Sequence, residues 1–187
     1  MNYVRGFAPW LCYAALSAFD WRLALCAAAV VALVLLAAQL RRRTTDLLGA
    51  TTCGYFTVMA VIALSDPKSG LHNWTTALAS AALAVTSLAS LAVRRPFTLS
   101  FARTQVPEHL WKHPRFIHVN MIITSAWAAA FTAAAIISAL IIHYAHSDTA
   151  ALVTVQVLAF VIPFVFTGRY TELAQNAARQ HAEAEAS

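Results

Sequence analysis

Charged side chains are scarce in this sequence. Asp, Glu, Lys and Arg make up 11% of its 187 residues, against about a quarter in soluble domains. Apolar residues make up 60%, and the mean hydropathy is +0.63. A soluble domain of this length cannot bury so much apolar surface, because surface-to-volume scaling limits its core. The surplus needs lipid. Glycine and proline are also few, five and six residues, which excludes a flexible low-complexity chain. The three cysteines, Cys12, Cys26 and Cys53, lie inside apolar stretches and form no Cys-x-x-Cys pair. They read as reduced, small side chains facing lipid or neighbouring helices rather than as metal or redox groups. There is no nucleophile with a companion base, no phosphate-cradling glycine loop and no dinucleotide fingerprint. Neither an enzyme nor a cofactor is expected.

What the sequence does hold is long apolar runs. A membrane helix needs about 20 mostly apolar residues, and five stretches meet or approach that length: 23–40, 47–64, 74–93, 121–142 and 149–167. They are rich in Ala and Leu and lack period-two alternation, so they read as helices and not as barrel strands. A sixth stretch, 7–19, is short, and Asp20-Trp21-Arg22 separates it from the next. By itself it is open to three readings: a short crossing, a re-entrant hairpin or a signal peptide. Asp20 and Trp21 look like an interfacial turn into a second span, which argues against cleavage. The expected fold is all-α, a single helical membrane domain of about six segments, with an internal loop at 94–119 and a polar tail at 168–187.

The basic residues orient this bundle. The net charge of +5 does not point to nucleic acid, because the basic residues sit between apolar segments and not on one face. If Arg41-Arg42-Arg43 face the cytoplasm and the segments alternate, then Arg5, Arg94, Arg95, Arg103, Lys112, Arg115, Arg169 and Arg179 fall on the same side. Only Arg22 and Lys68 remain outside. So large an asymmetry in short loops is a positive-inside signal. It places both ends of the chain in the cytoplasm and argues that 7–19 does cross.

The candidate working surface is the internal loop. Arg94, Arg95, Phe97, Phe101, Arg103, Trp111 and Arg115 combine basic and aromatic side chains there. Such a stretch lies in anionic headgroups or docks a partner. Histidines cluster at segment ends: His109, His113 and His118 inside, His72, His143 and His146 outside. His109 and His113 have the four-residue spacing of a metal pair, but Pro107 and Pro114 bracket them and disfavour a helix. No acidic ligand stands at a suitable spacing, so no metal site is expected. No Asp, Glu, Lys or Arg lies in the middle of a span, although proton and charged-substrate pathways normally place one there. The most polar mid-span group is Gln156, which either bonds a neighbouring helix or lines a polar route. Pro163, further along, removes a backbone donor and is expected to kink the last helix. Small residues at Thr76, Ser80, Ala84 and Ser87, at Ser125, Ala128, Thr132 and Ala135, and at Gly49, Cys53 and Gly54 mark close helix packing. Packing within one chain is preferred to homo-oligomerisation, which stays open.

The order of these features resembles the bacterial intracellular septation protein A family of inner-membrane proteins. The features carrying the resemblance are the opening Phe7-Ala8-Pro9, the basic cluster Arg41-Arg42-Arg43 and the Arg94-Arg95-Pro96 step. They continue with Trp111 in the loop, Asn120 and Trp127 at the next helix, and the closing Gly168-Arg169-Tyr170. The chain departs from that pattern in its longer loop, with His109, His113 and Pro114 around Trp111. The resemblance implies a polytopic scaffold in cell-envelope synthesis, septation or membrane integrity. It also implies contacts with elongation or division proteins, and it supplies no catalytic residue. The alternatives are a small transporter or channel using Gln156, and a metal- or haem-binding membrane protein using the histidines.

Overall fold

A computed structural model describes residues 2–17, 19–44, 46–66, 69–144 and 148–186, without the side chains of 2–5, 177–179 and 181–186. Lys68 and His146, and the side chains of Arg5 and Arg179, lie outside the described residues. Those residues form seven α-helices, one short 3-10 turn and no strand: α1 (Asn2–Leu16), α2 (Trp21–Arg41), α3 (Leu47–Ser65), α4 (Leu71–Ala92), α5 (Leu99–Ala102), the 3-10 turn Glu108–Leu110, α6 (Pro114–Tyr144) and α7 (Thr149–Ala186). The fold is an all-α bundle. Five of its helices, α2, α3, α4, α6 and α7, are long and apolar enough to cross a membrane.

Local chemistry sets the helix starts. Asp20 accepts from the N–H groups of Arg22 and Leu23 at the start of α2. Asp46 accepts from that of Gly49 in α3. Asp148 accepts from those of Ala150 and Ala151 in α7. Each carboxylate satisfies donors that a helix N-terminus leaves without partners. His113 does the same for α6, its Nδ1 accepting from Arg115 N–H at 3.2 Å. Pro114 then opens α6, where its missing N–H and fixed φ suit the first turn. Helix therefore begins inside the expected loop 94–119, at 114, because the proline read as a breaker is a helix starter.

The first helix starts earlier than the apolar stretch suggests, at Asn2, and ends at Leu16. Fifteen residues span only about 22 Å, short of the hydrocarbon thickness of about 30 Å. Its direction is nevertheless clear. A Cβ on Gly6 would lie 3.9 Å from Leu48, Trp10 donates to Thr52, and Tyr13 packs on Phe56. The sequence offset stays at 42 or 43, so α1 runs parallel to α3. It starts at the end of the bundle where α3 starts and finishes at the other. At the far end of the chain, Trp127 pairs with Thr167 and Ser138 with Gln156, the constant index sum of an antiparallel α6–α7 hairpin. The last helix continues through Pro163 to Ala186 without interruption, so the expected tail at 168–187 is, as far as residue 186, a continuation of α7.

The core is built on α4 and an aromatic cluster. On α4, Thr75, Ser80, Thr86, Ser87 and Ser90 are all buried, and each hydroxyl donates to a backbone carbonyl of its own helix. Small side chains that satisfy themselves let neighbouring backbones approach in lipid. Beneath the loop, Phe7 stacks on Trp127 with centroids 5.6 Å apart and meets Phe160 edge-on at 5.4 Å. Phe131 closes the group against Trp127 and Phe160, tying α1, α6 and α7 together.

Candidate functional site

One end of the bundle gathers the basic residues. The ends of α2 and α4, the starts of α1, α3 and α6, and the α4–α6 connection all meet there. Among the described residues this end carries nine basic side chains: Arg41, Arg42, Arg43, Arg94, Arg95, Arg103, Lys112, Arg115 and Arg169. The acidic ones are Asp46, Glu108 and Glu172. None of the nine forms a salt bridge with a described residue; the ion pair present, Arg22 with Asp20 at 3.7 Å, lies at the opposite end. Among the described residues, therefore, no carboxylate pairs with this exposed charge.

The connection between α4 and α6 divides into two parts. In the first, Pro96, Phe97, Thr98, Leu99 and Phe101 are buried. This corrects the expectation that Phe97 and Phe101 present a surface with the arginines. Thr98 draws the segment inward, lying 3.1 Å from Asn120 Oδ1 and 2.8 Å from the Thr124 hydroxyl on α6. With one hydrogen to give, a Thr98 hydroxyl that donates to Asn120 takes its second bond from Thr124. Phe97 N–H donates to Ser90 Oγ at 3.3 Å, and the Phe101 ring covers Gly6 of α1. The two phenylalanines thus fold into the mouth of the bundle, and only Arg94 and Arg95 stay outside.

The second part, 103–113, is the exposed part. The Arg103 guanidinium lies 5.4 Å over the Trp111 ring, within cation–π range. Trp111 Nε1 donates to Val106 O at 2.8 Å, closing a small loop on itself. Lys112 and Arg115 are exposed beside it. Of the loop residues singled out by sequence, Arg94, Arg95, Arg103, Trp111 and Arg115 share this end and Phe97 and Phe101 do not join them at the surface.

Gln156 lies deeper in the bundle. Its Nε2 donates to Ser80 Oγ at 2.9 Å and lies 3.5 Å from Ser138 Oγ, so it bridges α7 to α4 and α6. Pro163 is fully buried, and its carbonyl accepts from the Thr167 hydroxyl that also receives Trp127 Nε1–H. A cavity of about 490 Å³ lies elsewhere, as an apolar groove between α4 and α6 lined by Leu88, Leu91, Ser125, Ala129 and Ala133 among others. No cluster of three or more His, Cys, Asp or Glu side chains suited to a metal occurs among the described residues.

Two features of this end escape sequence reasoning. Arg43 and Arg94 both adopt the left-handed conformation, φ 52 and 54°. The signal for them is a helix end that has no glycine and runs straight into a basic pair. The other feature is a clasp: Gln39 Nε2 donates to Asp46 Oδ2 at 2.9 Å across the α2–α3 turn. A Cβ on Gly49 would sit 2.8 Å from the Gln39 amide oxygen, so a side chain there would push the Gln39 amide out of its present position.

Comparison with protein-family models, curated proteins and solved structures finds no match to this chain.

Proposed function

We propose that this chain is a non-catalytic, multi-pass protein of the bacterial inner membrane that acts through protein contacts at its basic end. Its role in this reading is in cell-envelope synthesis, septation or membrane integrity, the role implied by the resemblance to the septation protein A family. The observation that carries the reading is the contrast between interior and end. Inside the bundle, Gln156, Ser80, Thr98, Asn120 and Trp127 are bonded across helices, as in a scaffold that holds its shape. At the end, the exposed basic groups have no acidic partner among the described residues. The loop 103–113, stiffened by Arg103 on Trp111, is the protein-docking element in this reading, with elongation or division proteins as its partners.

The test is a C-terminal green fluorescent fusion at native expression in growing bacterial cells. The reading expects fluorescence concentrated at septa or growth sites. A uniform ring at the cell boundary sinks the envelope role, and a dark but intact fusion overturns the cytoplasmic C-terminus. A transporter is the rival, and vesicle flux that Gln156→Leu abolishes would establish it instead.

A further inference from the structure

The ends of α2 and α4 have the same construction. Arg43 N–H donates to Leu40 O at 3.1 Å and Thr44 N–H to Gln39 O at 3.0 Å; Arg94 N–H donates to Leu91 O at 2.9 Å and Arg95 N–H to Ser90 O at 2.9 Å. These three- and five-residue returns form a Schellman ending, which places one residue in the left-handed region. Glycine is the residue that fits there without steric penalty. This chain places arginine at both positions, and both side chains are exposed.

Capping does not explain the choice, because the backbone N–H groups already serve the terminal carbonyls. The helix dipole does not explain it either. A cation is favoured near a helix C-terminus, but Arg41 in the last turn of α2 and Arg95 after α4 supply one without a left-handed backbone. Depth offers the explanation. The 21 and 22 residues of α2 and α4 are about 32 and 33 Å long, close to the hydrocarbon thickness of about 30 Å. A residue just past such a helix stands at the level of the lipid phosphates. Both guanidiniums lack a salt bridge to any described residue, and a guanidinium fork matches phosphate geometry.

We propose that Arg43 and Arg94 bind the phosphate groups of anionic phospholipids, pinning the ends of α2 and α4 to one face of the membrane. This inference stands independently of any role in envelope assembly.

The full chain, purified in neutral detergent, is titrated with phosphatidylglycerol, phosphatidylcholine and inorganic phosphate. Lipid retention is read by native mass spectrometry, and stability by the unfolding midpoint. Phosphatidylglycerol is expected to bind and raise the midpoint, and the other two are not. Without lipid, Arg43→Gly and Arg94→Gly should unfold at or above the wild-type temperature, each binding phosphatidylglycerol about fivefold more weakly. Arg43→Lys and Arg94→Lys keep the charge but lose the fork, and should bind more weakly than wild type and more tightly than the glycine variants. Unchanged phosphatidylglycerol binding in the glycine variants overturns the proposal. So does a lower lipid-free midpoint in them, which would make the arginines structural, or an equal shift from inorganic phosphate, which would replace the lipid by a free anion. Arg43→Gln and Arg94→Gln remove the charge and keep the bulk. They must also lose binding, and glutamine variants that keep it overturn the proposal as well.

Discussion

Gly6 and Phe101 show how much of this protein rests on single contacts. A Cβ at position 6 would fall 2.8 Å from the Phe101 ring, and that ring is buried and cannot swing clear. Gly6→Ala should therefore lower stability by about 1–3 kcal/mol, the usual range for overpacking. The loss should be read from the unfolding midpoint in detergent and should shrink in the Gly6→Ala/Phe101→Leu double variant. Thr98→Val removes the hydroxyl that Asn120 and Thr124 share. Leaving buried partners unsatisfied should cost about 1–3 kcal/mol, and the buried segment should become open to proteolysis in the same assay. Gln156→Leu should be milder, about 0.6 kcal/mol, the average for an interhelical hydrogen bond in a membrane bundle. A larger loss would show that Gln156 organises more than its bonds to α4 and α6.

Helix ends govern the element scale. Asp20, at the start of α2, is held below the usual carboxylate range, chiefly by the Leu23 N–H, with the Arg22 N–H and guanidinium adding to it. A carboxyl whose folded pKa is depressed stabilises the fold above its unfolded value, and that contribution fades as pH falls through the lowered one. The unfolding midpoint should thus be insensitive to this group above about pH 4 and decline below it. Asp20→Asn, which still caps, should make the acid-side decline shallower; an unchanged slope would assign the acid loss to other carboxyls. Asp20, Asp46 and Asp148 carry the signal of a cap, a carboxylate just before an apolar run, though of the three only Asp20 is read, as part of an interfacial turn. The cap at His113 was not legible, because Pro114 read as a breaker of the His109–His113 pair and not as the first residue of α6. Phe97 and Phe101 misled for a related reason. Four-residue spacing puts two rings on one helical face, but it does not say whether that face turns toward lipid headgroups or into the mouth of the bundle.

At the scale of the whole molecule, orientation is the property to test. In a variant free of Cys12, Cys26 and Cys53, an impermeant thiol reagent should label Gly70→Cys in intact cells and Thr104→Cys only after permeabilisation. The opposite pattern would invert the molecule. Composition, hydropathy and the placement of arginines suffice to make this an all-helical membrane protein with its basic residues concentrated at one side. Those properties are sums over many residues, and no single contact can reverse them. Alternation of the segments already implied that the 15-residue α1 runs the same way as α3; tertiary structure alone decided that Thr98 draws Phe97 and Phe101 inward and that Gln156 bridges three helices. It also decided that two arginines occupy left-handed helix ends. Each of these depends on which residues distant in the chain come within a few ångströms, and neither hydropathy nor spacing encodes that distance.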